Sequence, residues 1–93
     1  MRRLWVVSYD ISDDLRRTEL VRYLEGWGWR VLESVFECAW RADQIPQVRQ
    51  ALEAIIDTGA DQLWLVPVCQ HCLRAAEVNG RHHRQGQPHY HVA

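Results

Sequence analysis

Lysine is absent from this 93-residue chain, and all eleven of its basic residues are arginine. Nothing approaches the ~18 consecutive apolar residues of a membrane-spanning helix, which excludes that kind of membrane protein. The opening stretch, Met1 to Asp10, is basic and then briefly apolar. It lacks the ~7–15-residue apolar segment and small-residue cleavage site of a secretory signal, so a cytoplasmic chain is expected. Cysteines number three. An odd number without an export signal argues against a disulfide framework. An excess of charge is missing too. At a net charge of −1 the chain is not drawn to phosphate unaided, and a nucleic-acid site needs cations gathered on one face. Arginine suits that task, because its planar fork makes bidentate hydrogen bonds to phosphate that lysine cannot make. The sequence has no internal repeat.

What is plentiful is bulk. Hydrophobic residues make up 47% of the chain, and five residues are tryptophan. A single domain of this length buries only about 60–65% of its extended surface. That leaves either a monomer with large residues in a thin core, or apolar surface covered by a partner. A second copy is the simplest partner.

Leu4 to Tyr9 is an unbroken apolar run, the pattern of a central strand. Asp10-Ile11-Ser12-Asp13-Asp14 ends it, with Ser12 or Asp13 placed to cap a helix. That helix is predicted over Asp14 to Glu25, with Leu20, Val21, Leu24 and Trp27 on one face and Gly26 and Gly28 as its stop. Trp29 to Trp40 reads as extended throughout. It contains no Gly, Pro, Asn or Asp, so a tight hairpin is hard to place. One bent strand and two strands breaking near Ser34 both fit. Asp43 is expected to cap a second helix, with Pro46 in its first turn. Ile45, Val48, Leu52, Ile55 and Ile56 form its apolar face, and Gly59 closes it. Asp61 to Val68 is the next strand, with Pro67 at an edge or near its end. Ala75 to Val78 can form a further short strand. Two regions result, a domain over residues 1–80 and a polar tail over 81–93 that is mobile or ordered only by a partner. Two helices on one face of a mainly antiparallel sheet give an α+β, ferredoxin-like βαββαβ fold. The other sheet face has no cover within the chain.

Three motifs on this pattern resemble one family. Val7-Ser8-Tyr9-Asp10-Ile11 followed by Ser12-Asp13-Asp14 resembles the opening of the CRISPR-associated Cas-two proteins. Glu33-Ser34-Val35-Phe36-Glu37-Cys38 resembles their Ser-Val-Phe element. Asp61 ahead of the strand ending Pro67-Val68-Cys69 resembles their last core strand. The resemblance spans about residues 3 to 80 in the right order. It implies a homodimer whose sheets face one another, with a short C-terminal strand, here Ala75 to Val78, exchanged between copies. It implies a place in spacer acquisition as a DNA-binding scaffold for Cas-one integrase subunits. It also implies a magnesium-dependent endonuclease activity, reported for some members on RNA or duplex DNA. A metal-dependent endoribonuclease acting alone and a VapD-like ribonuclease toxin are the alternatives. The absence of lysine and the unmatched tail after Gly80 depart from the family pattern.

By that resemblance Asp10 is the magnesium-binding acid near the dimer axis, with Tyr9 beside it as a catalytic or positioning hydroxyl. A single carboxylate is a poor magnesium site, since the ion takes six oxygens; two copies of Asp10 across a twofold supply two. The plain alternative is an aspartate that caps the following helix. Arg16, Arg17 and Arg30 resemble the basic positions presented to nucleic acid. Their alternative is a solvated helix face with weak pairs such as Arg16 with Glu19. Ser34 and Phe36 mark the motif, and Phe36 reads as packing. Cys69-Gln70-His71-Cys72 with His82, His83, His89 and His91 offers zinc ligands, but without a second pair at fixed spacing.

Overall fold

The computed structural model describes residues 1–69 together with the backbone strands at 77–78 and 91–92. The chain runs through β1 (Arg2–Asp10), α1 (Asp14–Glu25), β2 (Gly28–Leu32), β3 (Val35–Arg41), a 3-10 turn (Ala42–Gln44), α2 (Ile45–Ile55) and β4 (Gln62–Val68). The four strands form one sheet in the order β2-β3-β1-β4, and every neighbouring pair is antiparallel. This is the ferredoxin-like arrangement, with β1 in the centre as its unbroken apolar run implies. Among the described residues no helix is long and apolar enough to cross a membrane.

Residues directly opposite on neighbouring strands share a sheet face. Val7 lies opposite Phe36 and Leu65, and Trp5 lies opposite Cys38. These residues face the helices. With Leu20 and Leu24 of α1 and Val48 and Leu52 of α2, they make up most of the core. Trp40 is fully buried, its ring centroid 6.5 Å from Trp5 and 6.0 Å from Trp27.

α1 has the predicted bounds. Asp13 is its N-cap and accepts the Arg16 backbone N–H at 2.9 Å. Gly28 does not stop the helix but opens β2. A side chain there would place its Cβ 1.8 Å from the Glu37 carbonyl oxygen, so only glycine lets β2 approach β3 this closely. The stretch from Trp29 to Trp40 is two strands joined at Glu33-Ser34. The hairpin forms without a glycine or asparagine. A register shift between Arg30 and Leu32 adds the local twist that a bulge provides.

Asp43 does not cap α2. It sits in the 3-10 turn and pairs with Arg41 Nε at 3.1 Å, while α2 begins at Ile45 with proline in its first turn. The helix ends at Ile55, before the expected Gly59. Among the described strands β4 is bonded only to β1 and stands at the sheet edge, which is where Pro67, lacking an N–H, can sit. Glu77–Val78 (β5) and His91–Val92 (β6) pair in parallel as a separate two-stranded sheet. β5 is the end of the strand expected over Ala75 to Val78, and β6 falls in the segment read as polar tail. Residues 75–76 and the rest of the tail lie outside the described residues, as do His71, Cys72, His82, His83 and His89.

Candidate functional site

Strand alternation divides the sequence-predicted residues between two faces of the sheet. Tyr9 and Asp10 are neighbours in the chain, so their side chains leave β1 on opposite sides. Tyr9 turns toward the helices and is buried. Its backbone N–H donates to the Ser34 carbonyl at 3.1 Å, and its phenol O–H donates to the Glu33 carbonyl at 3.0 Å. The Glu33-Ser34 turn therefore grips Tyr9 at both ends. This is how the Ser-Val-Phe element and the Tyr-Asp element, far apart in sequence, meet. Burial raises the Tyr9 pKa above its ordinary value of 10.0, against an opposing pull from Arg30 and Arg17. At neutral pH the hydroxyl is a neutral donor and not a phenolate base.

Phe36 is fully buried, 6.4 Å from the Tyr9 ring. Its ring is packing and offers no open surface for stacking a base. Above it lies the Arg30 guanidinium, 5.6 Å from the ring centroid, an arrangement that favours the cation over the π face. Arg30 and Tyr9 line a pocket of about 300 Å³ between α1 and the β2–β3 hairpin, together with Arg17, Arg22, Glu25 and Glu33. Among the described residues neither Arg22 nor Arg30 makes an ion pair. Arg17 is engaged: its Nη1 donates to the Ile11 carbonyl at 2.9 Å, and its Nη2 pairs with Asp14. Arg22 is not among the residues singled out in the sequence. Its convergence with Arg30 depends on β2 lying alongside α1, which no local pattern encodes.

Arg16, one position earlier on the helix, is not in this pocket. Its Nε and Nη2 reach the two carboxylate oxygens of Asp61 at 2.8 and 3.2 Å. No pair with Glu19 forms. The sequence reading missed Asp61 as anything but a strand marker, since it lies 45 positions from its partner.

Asp10 stands at the last position of β1, exposed and opposite Gln62 of β4. Asp13 supplies the helix cap, so Asp10 is left out of capping. Around it spreads the sheet face without helices. Val6 lies opposite Val66 and Ser8 opposite Trp64, and those β4 residues are 50% and 48% exposed. On the same face the Trp29 indole N–H donates to Glu37 Oε1 at 2.9 Å, covering a carboxylate that is itself buried. Among the described residues no three His, Cys, Asp or Glu side chains cluster as metal ligands. Among the described residues Asp10 thus has no cluster of ligands around it, and its donor set fits a magnesium ion only if a second copy doubles it. Cys69 is exposed, and the buried Cys38 has its thiol pushed up to about 12 by burial, with Glu37 adding to the shift.

Comparison with known proteins matches this geometry to one group. The family model described as CRISPR associated protein Cas2 covers residues 1–76. A Chloroflexus aurantiacus protein named CRISPR-associated endoribonuclease Cas2 1 is 43% identical over 77 residues, 82% of this chain and 83% of its own length. The crystal structure of a hypothetical Thermus thermophilus protein, TT1823, superposes with a TM-score of 0.71 at 39% identity, covering 74% of this chain and 84% of that one. A chain of a partial Cas6-RT-Cas1–Cas2 complex shares the fold at a TM-score of 0.73 and 21% identity, covering 91% and 92%. With the family model matching most of its length, the chain belongs to the CRISPR associated protein Cas2 family.

Proposed function

We propose that the protein works as a homodimer that binds nucleic acid in the CRISPR adaptation machinery and serves as a scaffold for Cas1 integrase subunits during spacer acquisition. The observation that carries this reading is the helix-free face of the sheet. Half-exposed Trp64 and Val66 form an apolar surface ending at Asp10, and a second copy covers it face to face. The short C-terminal strand exchanges between copies in this reading. A structural neighbour taken from a complex containing Cas1 and Cas2 supports the Cas1 partnership.

The nucleic-acid surface has Arg30 and Arg17 at the α1–β2 pocket, with Arg22 beside them. Guanidinium–phosphate contacts give affinity that falls with salt and carry no sequence information. The exposed Asp10 favours a second, compatible activity, magnesium-dependent endonuclease. Asp10 from each of two copies would hold the ion, and a bound magnesium would supply an activated water and charge stabilisation for phosphodiester hydrolysis. The relative's name, endoribonuclease, supports nuclease chemistry on RNA.

Titration of the protein with duplex DNA over a range of salt concentrations tests the binding reading. The wild type is expected to bind without sequence preference. Arg30→Ala is expected to weaken binding uniformly and to lower the log–log salt slope by about one per chain. Absence of any duplex affinity overturns it. For the nuclease reading, cleavage must disappear with a chelator and in Asp10→Ala; cleavage that persists in Asp10→Ala assigns the activity elsewhere.

A further inference from the structure

Asp61 is the buried carboxylate that neither proposed activity uses. Its side chain has no solvent exposure. Burying a carboxylate is very unfavourable unless it is paired and hydrogen-bonded, and Asp61 is provided with three donors. Arg16 Nε donates at 2.8 Å and Arg16 Nη2 at 3.2 Å, one to each oxygen. The Asp57 backbone N–H donates at 2.9 Å. The two-pronged arrangement is the one that arginine, with its planar fork, forms and lysine does not.

The pair closes a ring in the structure. Arg16 sits in the first turn of α1, and its own backbone N–H bonds to the Asp13 cap. Its neighbour Arg17 donates to the carbonyl of buried Ile11. The three residues between β1 and α1 are therefore fastened at Ile11 and at Asp13. Asp61 directly precedes Gln62, and Gln62 is the strand partner of Asp10. From Asp10 the path runs through the β1–α1 junction to Arg16, across the ion pair to Asp61, and back through Gln62 to Asp10.

We propose that Asp61 is a positioning residue for Asp10. By holding Arg16 it locks the β1–α1 junction and sets where the Asp10 carboxylate stands. The same contact removes Arg16 from phosphate binding. Its single positive charge faces Asp61 and, at 3.9 Å, Asp13, so an approaching phosphate meets a locally negative surface. This rests on Asp10 acting as proposed above, but the lock itself is a claim about the free protein and is measured there.

The test uses the full chain with Asp61→Asn and Arg16→Met, variants that keep shape and remove one charge each. Amide hydrogen exchange is read by NMR at Arg16 and Arg17, whose backbone N–H groups bond to Asp13 at the junction. We expect exchange there to rise by tenfold or more in both variants, while Val7 and Phe36 at the sheet centre stay unchanged. In duplex binding, Arg16→Met is expected to leave the salt slope as in the wild type, where Arg30→Ala lowers it. Wild-type exchange at these two amides in a folded variant overturns the lock. A slope lowered by Arg16→Met as much as by Arg30→Ala overturns the assignment of Arg16. If Asp61→Asn does not fold, Arg16→Met gives both readouts. If the wild type binds no duplex, the nucleic-acid reading fails while the exchange measurement still decides the positioning.

Discussion

The two faces of the central sheet are built from the same residue types and end differently. On the helix side Trp40, Phe36 and Cys38 are fully buried. On the other side Trp64 and Val66 remain about half exposed. Both faces are apolar because β1 and β4 run without a strict polar alternation, the pattern of strands covered twice. One cover is present in the chain as α1 and α2. The tryptophans are thus divided between the faces: Trp40 is enclosed beneath the helices, and Trp64 stays half exposed where a second copy is proposed to pack.

The largest test of this contrast replaces a tryptophan on each face. Trp40→Ala removes a fully enclosed ring and is expected to destabilise the domain by about 3–5 kcal/mol in denaturant unfolding. Trp64→Ala is expected to cost the isolated domain much less. Its effect should instead appear as a loss of the concentration dependence that a dimeric wild type shows in its midpoint, because mass action links association to stability. An equal loss in both variants would erase the distinction between the faces.

A second, smaller effect separates the junction from the faces. Arg16 and the Asp57 N–H hold the Asp61 carboxyl below the usual carboxylate range. A group whose pKa is lowered by folding contributes stability that is full above its unfolded value and is lost as pH falls through the folded one. Thermal midpoints of the wild type should therefore fall as pH drops below about 4. Asp61→Asn should start lower and show a shallower acid limb; an identical acid limb in both counts against the pair.

Thiol chemistry gives a third contrast. With Cys38 held at about 12, its thiolate is negligible at pH 8. Cys38→Ser is expected to label with the same stoichiometry as the wild type until the protein is unfolded. The smallest expected effect is that of Asp10→Asn on stability. The side chain is exposed and outside the helix cap, so a change within about 0.5 kcal/mol is expected, alongside loss of any magnesium-dependent cleavage.

Much of this was legible in the sequence. The span of α1, a cap at Ser12 or Asp13 and the central place of β1 follow from local pattern, because the periodicities and capping groups that define them are local. The β2–β3 hairpin was legible only as one of two possibilities, since its Glu33-Ser34 turn lacks the usual turn residues and a bulge makes up the difference. Asp43 was misplaced because its partner, Arg41, lies before the helix and not within it. The site was read unevenly for the same reason. Tyr9 and Asp10 were found as a pair, yet alternation puts them on opposite faces. Arg16 and Arg17 were grouped by adjacency, but Arg16 turns to a carboxylate brought near only by the tertiary fold. Arg22 joins Arg30 in one pocket through the same long-range packing.

A helix-free face that meets a second copy of itself makes the protein a dimer in solution. Sedimentation equilibrium of the wild type beside Val66→Asp measures it directly. A wild-type mass twice the 11.0 kDa of the chain is expected, with a folded single-chain species for Val66→Asp. A wild type that sediments as one chain at micromolar concentration, or a variant that still sediments as two, contradicts it.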